Sequence, residues 1–279
     1  MSEKDFIAGL HNNSRASSNF SLPHISSLLL RSLANHHQLH PSRAQQLCLE
    51  QGILPDIYLR NHPTYDLKQQ LNLARSAVFL TGLGGLGGYV LEILARTGVG
   101  TIIMADGDLF EESNLNRQIL GTWNNLGQAK AEAAEQRLHL INPFCTAKIL
   151  DCFVQRRDLP DLISRADLVA DALGGIEFRP VLLKESGLAN RPLVTGFVAG
   201  STGLVSTVYP GGKAPSQFWQ GRSSGAAENI LGNAAPIVSL TASMQAAEII
   251  SILSGQGPRL KDMVFLADLD SLTFDLLKL

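Results

Sequence analysis

The stretch from Ser76 to Asp106, SAVFLTGLGGLGGYVLEILARTGVGTIIMAD, does more than any other to limit what this chain can fold into. An apolar run at Ala77, Val78, Phe79 and Leu80 has the composition of a buried strand. Gly82, Gly84, Gly85, Gly87 and Gly88 follow, and Val90, Leu91, Leu94 and Ala95 then recur at helical spacing. A second apolar run, Thr101 to Met104, leads into Asp106. The order is strand, glycine turn, helix, strand, acid: a βαβ unit with a G-x-G-x-x-G turn at Gly82, Gly84 and Gly87. Such a turn needs positive φ, lets a phosphate approach bare N–H groups, and offers it the positive end of a helix dipole. Asp106 falls about 20 residues past the last glycine, where a carboxylate reaches a ribose hydroxyl. The stretch predicts a nucleotide site.

With 279 residues, 45% of them hydrophobic, the chain can hold one large core, or a core and a small appendage. A net charge of -2 argues against a general nucleic-acid surface. The apolar stretches are read as broken short of the ~20 residues of a membrane span. The N-terminus carries Glu3 and Asp5 and no apolar h-region, which predicts neither a signal nor a transit peptide. Cys48, Cys145 and Cys152 are scattered, which fits a reducing cytoplasm and leaves no C-x-x-C zinc clip. Cys145 and Cys152 are read as structural, in a turn and an apolar strand.

Residues 1–56 read as a small helical extension, with helices over His24 to Ala34 and Ser42 to Gln51. His36 and His40 have the i, i+4 spacing of a metal pair, but no nearby acid or cysteine completes a zinc set, so a solvated helix end is expected. Residues 57–279 read as the nucleotide-binding domain, opening with a helix from Tyr65 to Leu73. Helices are expected at Gly127–Leu140, Asp158–Ser164, Ile176–Leu188 and Ala234–Leu253. Strands are expected at Ala147–Val154, Ala166–Leu173, Pro192–Ala199 and Leu204–Tyr209, with a terminal hairpin over Met263–Leu279. This alternation implies an α/β fold: a doubly wound, mostly parallel, Rossmann-like sheet with antiparallel strands at its C-terminal side. The irregular segment Lys213 to Asn229 is a candidate lid or partner crossover.

A glycine turn alone would suit an NAD-dependent oxidoreductase, but the loop after the second strand argues for a more highly charged ligand. It holds Asp106, Asp108, Ser113, Asn114, Asn116, Arg117 and Gln118, and Lys130 opens the next helix. A triphosphate in a water-poor site needs cations to offset it. Arg117 offers a bidentate fork and Lys130 a mobile point charge. No G-x-x-x-x-G-K-[ST] occurs, which excludes a P-loop NTPase.

GLGGLGG, the DGD…SNLNRQ loop and GQAK together resemble the ThiF/MoeB/HesA family, relatives of the ubiquitin-activating enzymes, over about Ile57 to Leu279. The resemblance implies a homodimer that binds ATP and Mg²⁺ and adenylates the C-terminal glycine of a small ubiquitin-like sulfur carrier of the ThiS or MoaD type. It places Gly85 under the nucleotide, Asp106 on the ribose, and Ser113, Asn114, Asn116, Arg117, Gln118 and Lys130 on the phosphates. Tyr58-Leu59-Arg60-Asn61 is similar to the element whose arginine reaches the partner subunit's ATP, which makes Arg60 a finger in trans. Where the family reads Asp-x-x-Asp-Asn after its fourth strand, this chain has Asp171-Ala172-Leu173-Gly174-Gly175. Asp171 is left either to take the metal or to serve as a structural carboxylate. Between Pro210 and Ala234 there is no cysteine for thioester or persulfide chemistry, and the family's zinc-binding C-x-x-C pairs are absent. A member that binds nucleotide and carrier without adenylating is the rival expectation.

Overall fold

The computed structural model describes residues 3–17, 20–215 and 230–279. The N-terminal part runs α1 (Glu3–Asn13), β1 (Arg15–Ser17), β2 (Phe20–Ile25), α2 (Ser27–His36), α3 (Pro41–Glu50) and β3 (Leu54–Pro55). It is not purely helical, because the three strands form a sheet in the order β1-β2-β3. The helix expected from His24 begins only at Ser27. Pro23 has no N–H to donate and holds Leu22 in extended backbone, and the His24 ring meets the Asp56 carboxylate at 2.6 Å. The metal spacing of His36 and His40 is not realised on one helix. α2 ends at His36, Gln38 has φ +56, and His40 instead caps α3 by accepting the N–H of Ser42.

The chain continues through α4 (Leu67–Arg75), β4 (Ala77–Thr81), α5 (Gly85–Thr97), β5 (Thr101–Ala105), α6 (Lys130–Ile141) and β6 (Thr146–Leu150). Next come α7 (Leu159–Ser164), β7 (Leu168–Asp171), α8 (Arg179–Leu188), β8 (Leu193–Ala199) and β9 (Thr202–Val208). A helix that we number α9 (Ala235–Ser254), β10 (Met263–Asp268) and β11 (Thr273–Lys278) complete it. The eight-stranded sheet has the order β11-β10-β9-β8-β7-β4-β5-β6. β6, β5, β4, β7 and β8 run parallel, and β9, β10 and β11 add antiparallel pairings.

Alternate residues of the central strands enter opposite cores. Val78, Leu80, Ile102 and Met104 pack with α5, α6 and α9, whereas Phe79, Ile103 and Ala105 pack with α7 and α8. Both faces are covered, which is why these strands read as unbroken apolar runs. α9 has the length and hydropathy of a membrane span, contrary to the sequence expectation that no stretch would. It lies mostly buried against the sheet and α5, as a core helix.

Tyr58 ties the two parts together. Its buried hydroxyl donates to Gln45 of α3 at 2.6 Å and accepts from Asn142 at 2.7 Å. Phe144 fills the N-terminal core beside Phe6 and Leu10. The order of strands puts the topological switch point between β4 and β7: the chain winds outward from β4 to β6, then returns to β4's other side. Ligands of doubly wound sheets bind outside the carboxyl ends of the strands at such a point.

Candidate active site at the switch point

β4 ends at Thr81 and the backbone turns at Gly82, with φ +84 and no room for a side chain, since a Cβ would lie 2.6 Å from the Ala172 carbonyl oxygen. Gly87 brings α5 down onto this turn, where a Cβ would come within 1.8 Å of the Gly82 carbonyl oxygen. Asp106, at the end of β5, pins the turn from the other side. One carboxylate oxygen accepts the Leu83 N–H at 2.6 Å and the other the Asp108 N–H at 2.9 Å. Burial raises the Asp106 pKa above the ordinary carboxylate value, and these two N–H groups oppose the shift.

A cavity of about 290 Å³ opens over the turn. Gly82, Gly84, Gly85, Asp106 and Asp108 line it from the turn and β5. Asn114, Arg117, Gln118 and Lys130 line it from the following loop and α6, and Gly174 from the loop after β7. Lys130 is buried, and its ammonium donates to Asp108 at 3.0 Å. Arg117 donates through Nη1 to the Ser113 carbonyl at 2.9 Å and to Asn116 Oδ1 at 2.8 Å. Its Nε and Nη2 have no partner among the described residues. Gln118 is buried with its side-chain oxygen unpaired, a polar atom facing no acceptable partner in the protein. Two buried or half-free cations, an orphaned amide oxygen and a glycine turn at one opening are the complement of a phosphorylated, hydroxyl-bearing ligand.

Other candidates stand outside the cavity lining. Gly87 acts beneath the turn, Ser113 and Asn116 orient Arg117, and Asn116 Nδ2 also donates to the Asn233 carbonyl at 3.2 Å. Arg60 is exposed and makes no hydrogen bond or ion pair among the described residues. Neighbours hold its backbone: Tyr58 is buried, and Asn61 donates to Gln70 at 3.2 Å. The proposed lid lies largely outside the described residues.

Asp171, which its sequence left either to a metal or to a structural role, is held by protein donors. It is 1% exposed, and its Oδ2 accepts from Arg179 Nη1 at 2.6 Å and from the Thr195 hydroxyl at 2.7 Å. Its Oδ1 accepts the Leu173 N–H at 3.2 Å. Asp106 accepts on both oxygens, whereas Asp108 accepts from Lys130 on Oδ2 alone, and no cluster of three or more His, Cys, Asp or Glu residues able to hold a metal occurs among the described residues.

Arg179 is the site residue that sequence reasoning missed. It lines the cavity with its guanidinium 3.6 Å from the centre of the Phe197 ring. Phe197, Asn233 and Val238 also line the cavity and come from β8 and from the approach to and start of α9. The one signal for Arg179 was Asp171 itself, because a carboxylate at the end of an apolar strand must find a cation.

A second cavity of about 370 Å³ adjoins the first and shares Gly82, Asp106, Asp108 and Gly174 with it. Phe153, Val154 and Phe178 make its apolar wall, and Cys152 stands at its edge. Cys152 is exposed rather than set in a strand, since β6 ends at Leu150. Burial pushes the Cys145 thiol up to about 12, far from thiolate chemistry.

The chain matches the model of the ThiF family over residues 58–279. It belongs to the ThiF family. The sulfur carrier protein ThiS adenylyltransferase of Escherichia coli K12 is 32% identical over 192 residues, 68% of this chain and 76% of that protein. The molybdopterin-synthase adenylyltransferase of the same organism is 32% identical over 221 residues, 77% of this chain and 88% of that one. The crystal structure of E. coli MccB with ATP superposes with a TM-score of 0.70 at 20% identity, covering 89% of this chain and 78% of that chain. At that identity MccB and this ThiF-family chain share a fold.

Proposed function

We propose that this ThiF-family chain is an adenylyltransferase that activates the C-terminal glycine carboxylate of a small ubiquitin-like sulfur carrier, of the kind its ThiS- and molybdopterin-related homologues are named for. The observation that carries the reading is the convergence of Arg117 and buried Lys130 on a cavity over the glycine turn. In this reading the apolar wall of Phe153, Val154 and Phe178 takes the adenine, Asp106 the ribose hydroxyls, and Arg117 and Lys130 the phosphates. A carrier carboxylate oxygen attacks the α-phosphorus, a C–O–P bond forms, and the bond to the β-phosphate oxygen breaks to release pyrophosphate. A carboxylate needs no general base, so the site has only to align it and to offset charge on the phosphates. Among the described residues that line the cavity over the glycine turn there is no histidine or cysteine, which fits that demand.

Finer parts of the reading are that the enzyme works in the cytoplasm as a homodimer, that residues 1–56 are an N-terminal extension of the nucleotide-binding domain, and that Arg60 enters the partner's site. ATP–pyrophosphate exchange with the purified chain and a panel of Gly-Gly-terminated carriers tests the core claim. Carrier-dependent exchange is expected, lowered by about 10²–10³ in Arg117→Ala, as for loss of a transition-state donor. ATP binding with no exchange for any carrier would overturn it in favour of a binding-only member.

A further inference from the structure

The two cavities at the switch point differ in what they offer a ligand. Arg117, Lys130 and Arg179 line the first, whereas no lysine or arginine is among the described residues that line the second. The second carries the carboxylates of Asp106, Asp108 and Glu177 beside its apolar wall. A ligand with one anionic end that spans both cavities therefore seats that end in the first and its uncharged end in the second. There the uncharged end meets mainly hydrogen-bond acceptors. Of the side-chain donors, the Thr81 hydroxyl already donates to the Ala170 carbonyl at 3.3 Å, and the Cys152 thiol is a weak one.

Glu177 is the carboxylate left open beyond the rim that the cavities share. Asp106 accepts two backbone N–H groups, and Asp108, on the shared rim, pairs with Lys130 through Oδ2. Glu177 lines the second cavity only, is exposed, and pairs with no cation among the described residues. Its Oε2 accepts the Ile176 N–H at 3.1 Å, and its Oε1 has no partner among those residues. Gly175 makes this seat possible, since a Cβ there would lie 2.6 Å from Glu177 Oε2.

We propose that Glu177 is a specificity-determining residue of the nucleotide site, its Oε1 accepting a hydrogen bond from the exocyclic amine at C6 of adenine. A carboxylate bonds such an amine with charge assistance and repels a base that presents a carbonyl oxygen in the same place. The apolar wall of Phe153, Val154 and Phe178 covers the ring, and Glu177 reads its edge. The inference rests on the reading that a nucleotide spans these cavities with its phosphates on Arg117 and Lys130.

Titration calorimetry of the full chain compares ATP with purine riboside triphosphate, which lacks the amine, and with GTP, which carries an oxygen at C6. The wild type is expected to bind ATP about fivefold or more tighter than either. In Glu177→Ala that preference should fall below about twofold, while the affinity for inorganic tripolyphosphate, which has no base, changes by less than about twofold. Glu177→Gln keeps an acceptor oxygen and should retain part of the preference. The proposal is overturned if the wild type binds either analogue as tightly as ATP, or if Glu177→Ala keeps the full preference. A preference lost in Asp108→Asn and kept in Glu177→Ala overturns it by placing the amine on Asp108. An equal change for all four ligands in Glu177→Ala overturns it as a general effect of charge. ATP bound by the wild type no more tightly than tripolyphosphate would sink the nucleotide reading together with the proposal. ATP bound more tightly than tripolyphosphate, but no more tightly than the two analogues, would sink the proposal alone.

Discussion

At the scale of single residues, the spaces around two glycines differ enough to predict opposite outcomes. Gly87→Ala drives a Cβ to 1.8 Å from a carbonyl oxygen of the turn it packs on. A loss of about 3 kcal/mol in chemical denaturation is expected from overpacking, together with loss of nucleotide binding. Gly174→Ala meets open space and should stay within about 0.5 kcal/mol of the wild type in the same measurement. Asp171→Asn leaves the Arg179 guanidinium buried without its counter-ion, which costs about 3–5 kcal/mol. Denaturation in the absence of nucleotide checks this, and an unchanged midpoint would mean that the pair is replaceable. The glycines and Asp106 were legible from spacing alone, since a βαβ turn leaves them few alternatives. Asp171 was not, because its role depends on Arg179 eight positions later and on Thr195 from the next strand.

Among elements, the contact of α5 with α6 has a pH signature. Glu92 on α5 bonds Arg96 on its own helix and Arg137 on α6, the latter through two contacts at 2.8 Å. Burial acts to raise the Glu92 pKa, but the Arg137 and Arg96 bonds outweigh it and the net shift is downward. A depressed carboxylate stabilises the fold above its unfolded pKa of about 4.3 and loses that contribution as pH falls through the lower folded value. The stability gap between wild type and Glu92→Gln should therefore be full at neutral pH and close below about pH 4. A gap independent of pH would show that Glu92 matters by packing alone. Elements with strong periodicity or a clear stop were foreseen almost to their ends, among them β5, α9 and the terminal hairpin. α8 starts at Arg179 rather than Ile176 because Gly175 has positive φ and Pro180 suits only the first turn.

For the whole molecule, the proposed finger in trans makes a prediction that no monomeric site can meet. Arg60→Ala and Arg117→Ala should each be inactive as pure preparations. Mixed and allowed to exchange subunits, they form hybrids in which one site has both arginines, so about a quarter of wild-type exchange activity should return. Recovery of none would place Arg60 outside the site. Arg60 is exposed, between buried Tyr58 and an Asn61 that donates to Gln70.

By itself the sequence determined the βαβ unit, the doubly wound class, Arg117 and Lys130 among the cations that line the cavity, and the family, because each follows from local spacing that a few residues impose. The tertiary structure alone decided which buried polar groups pair and that the N-terminal part holds a sheet. These depend on partners brought together from far along the chain: Arg179 with Asp171, and His24 with Asp56. Burial energy is settled by what packs against a group, and one-dimensional order does not contain that neighbour.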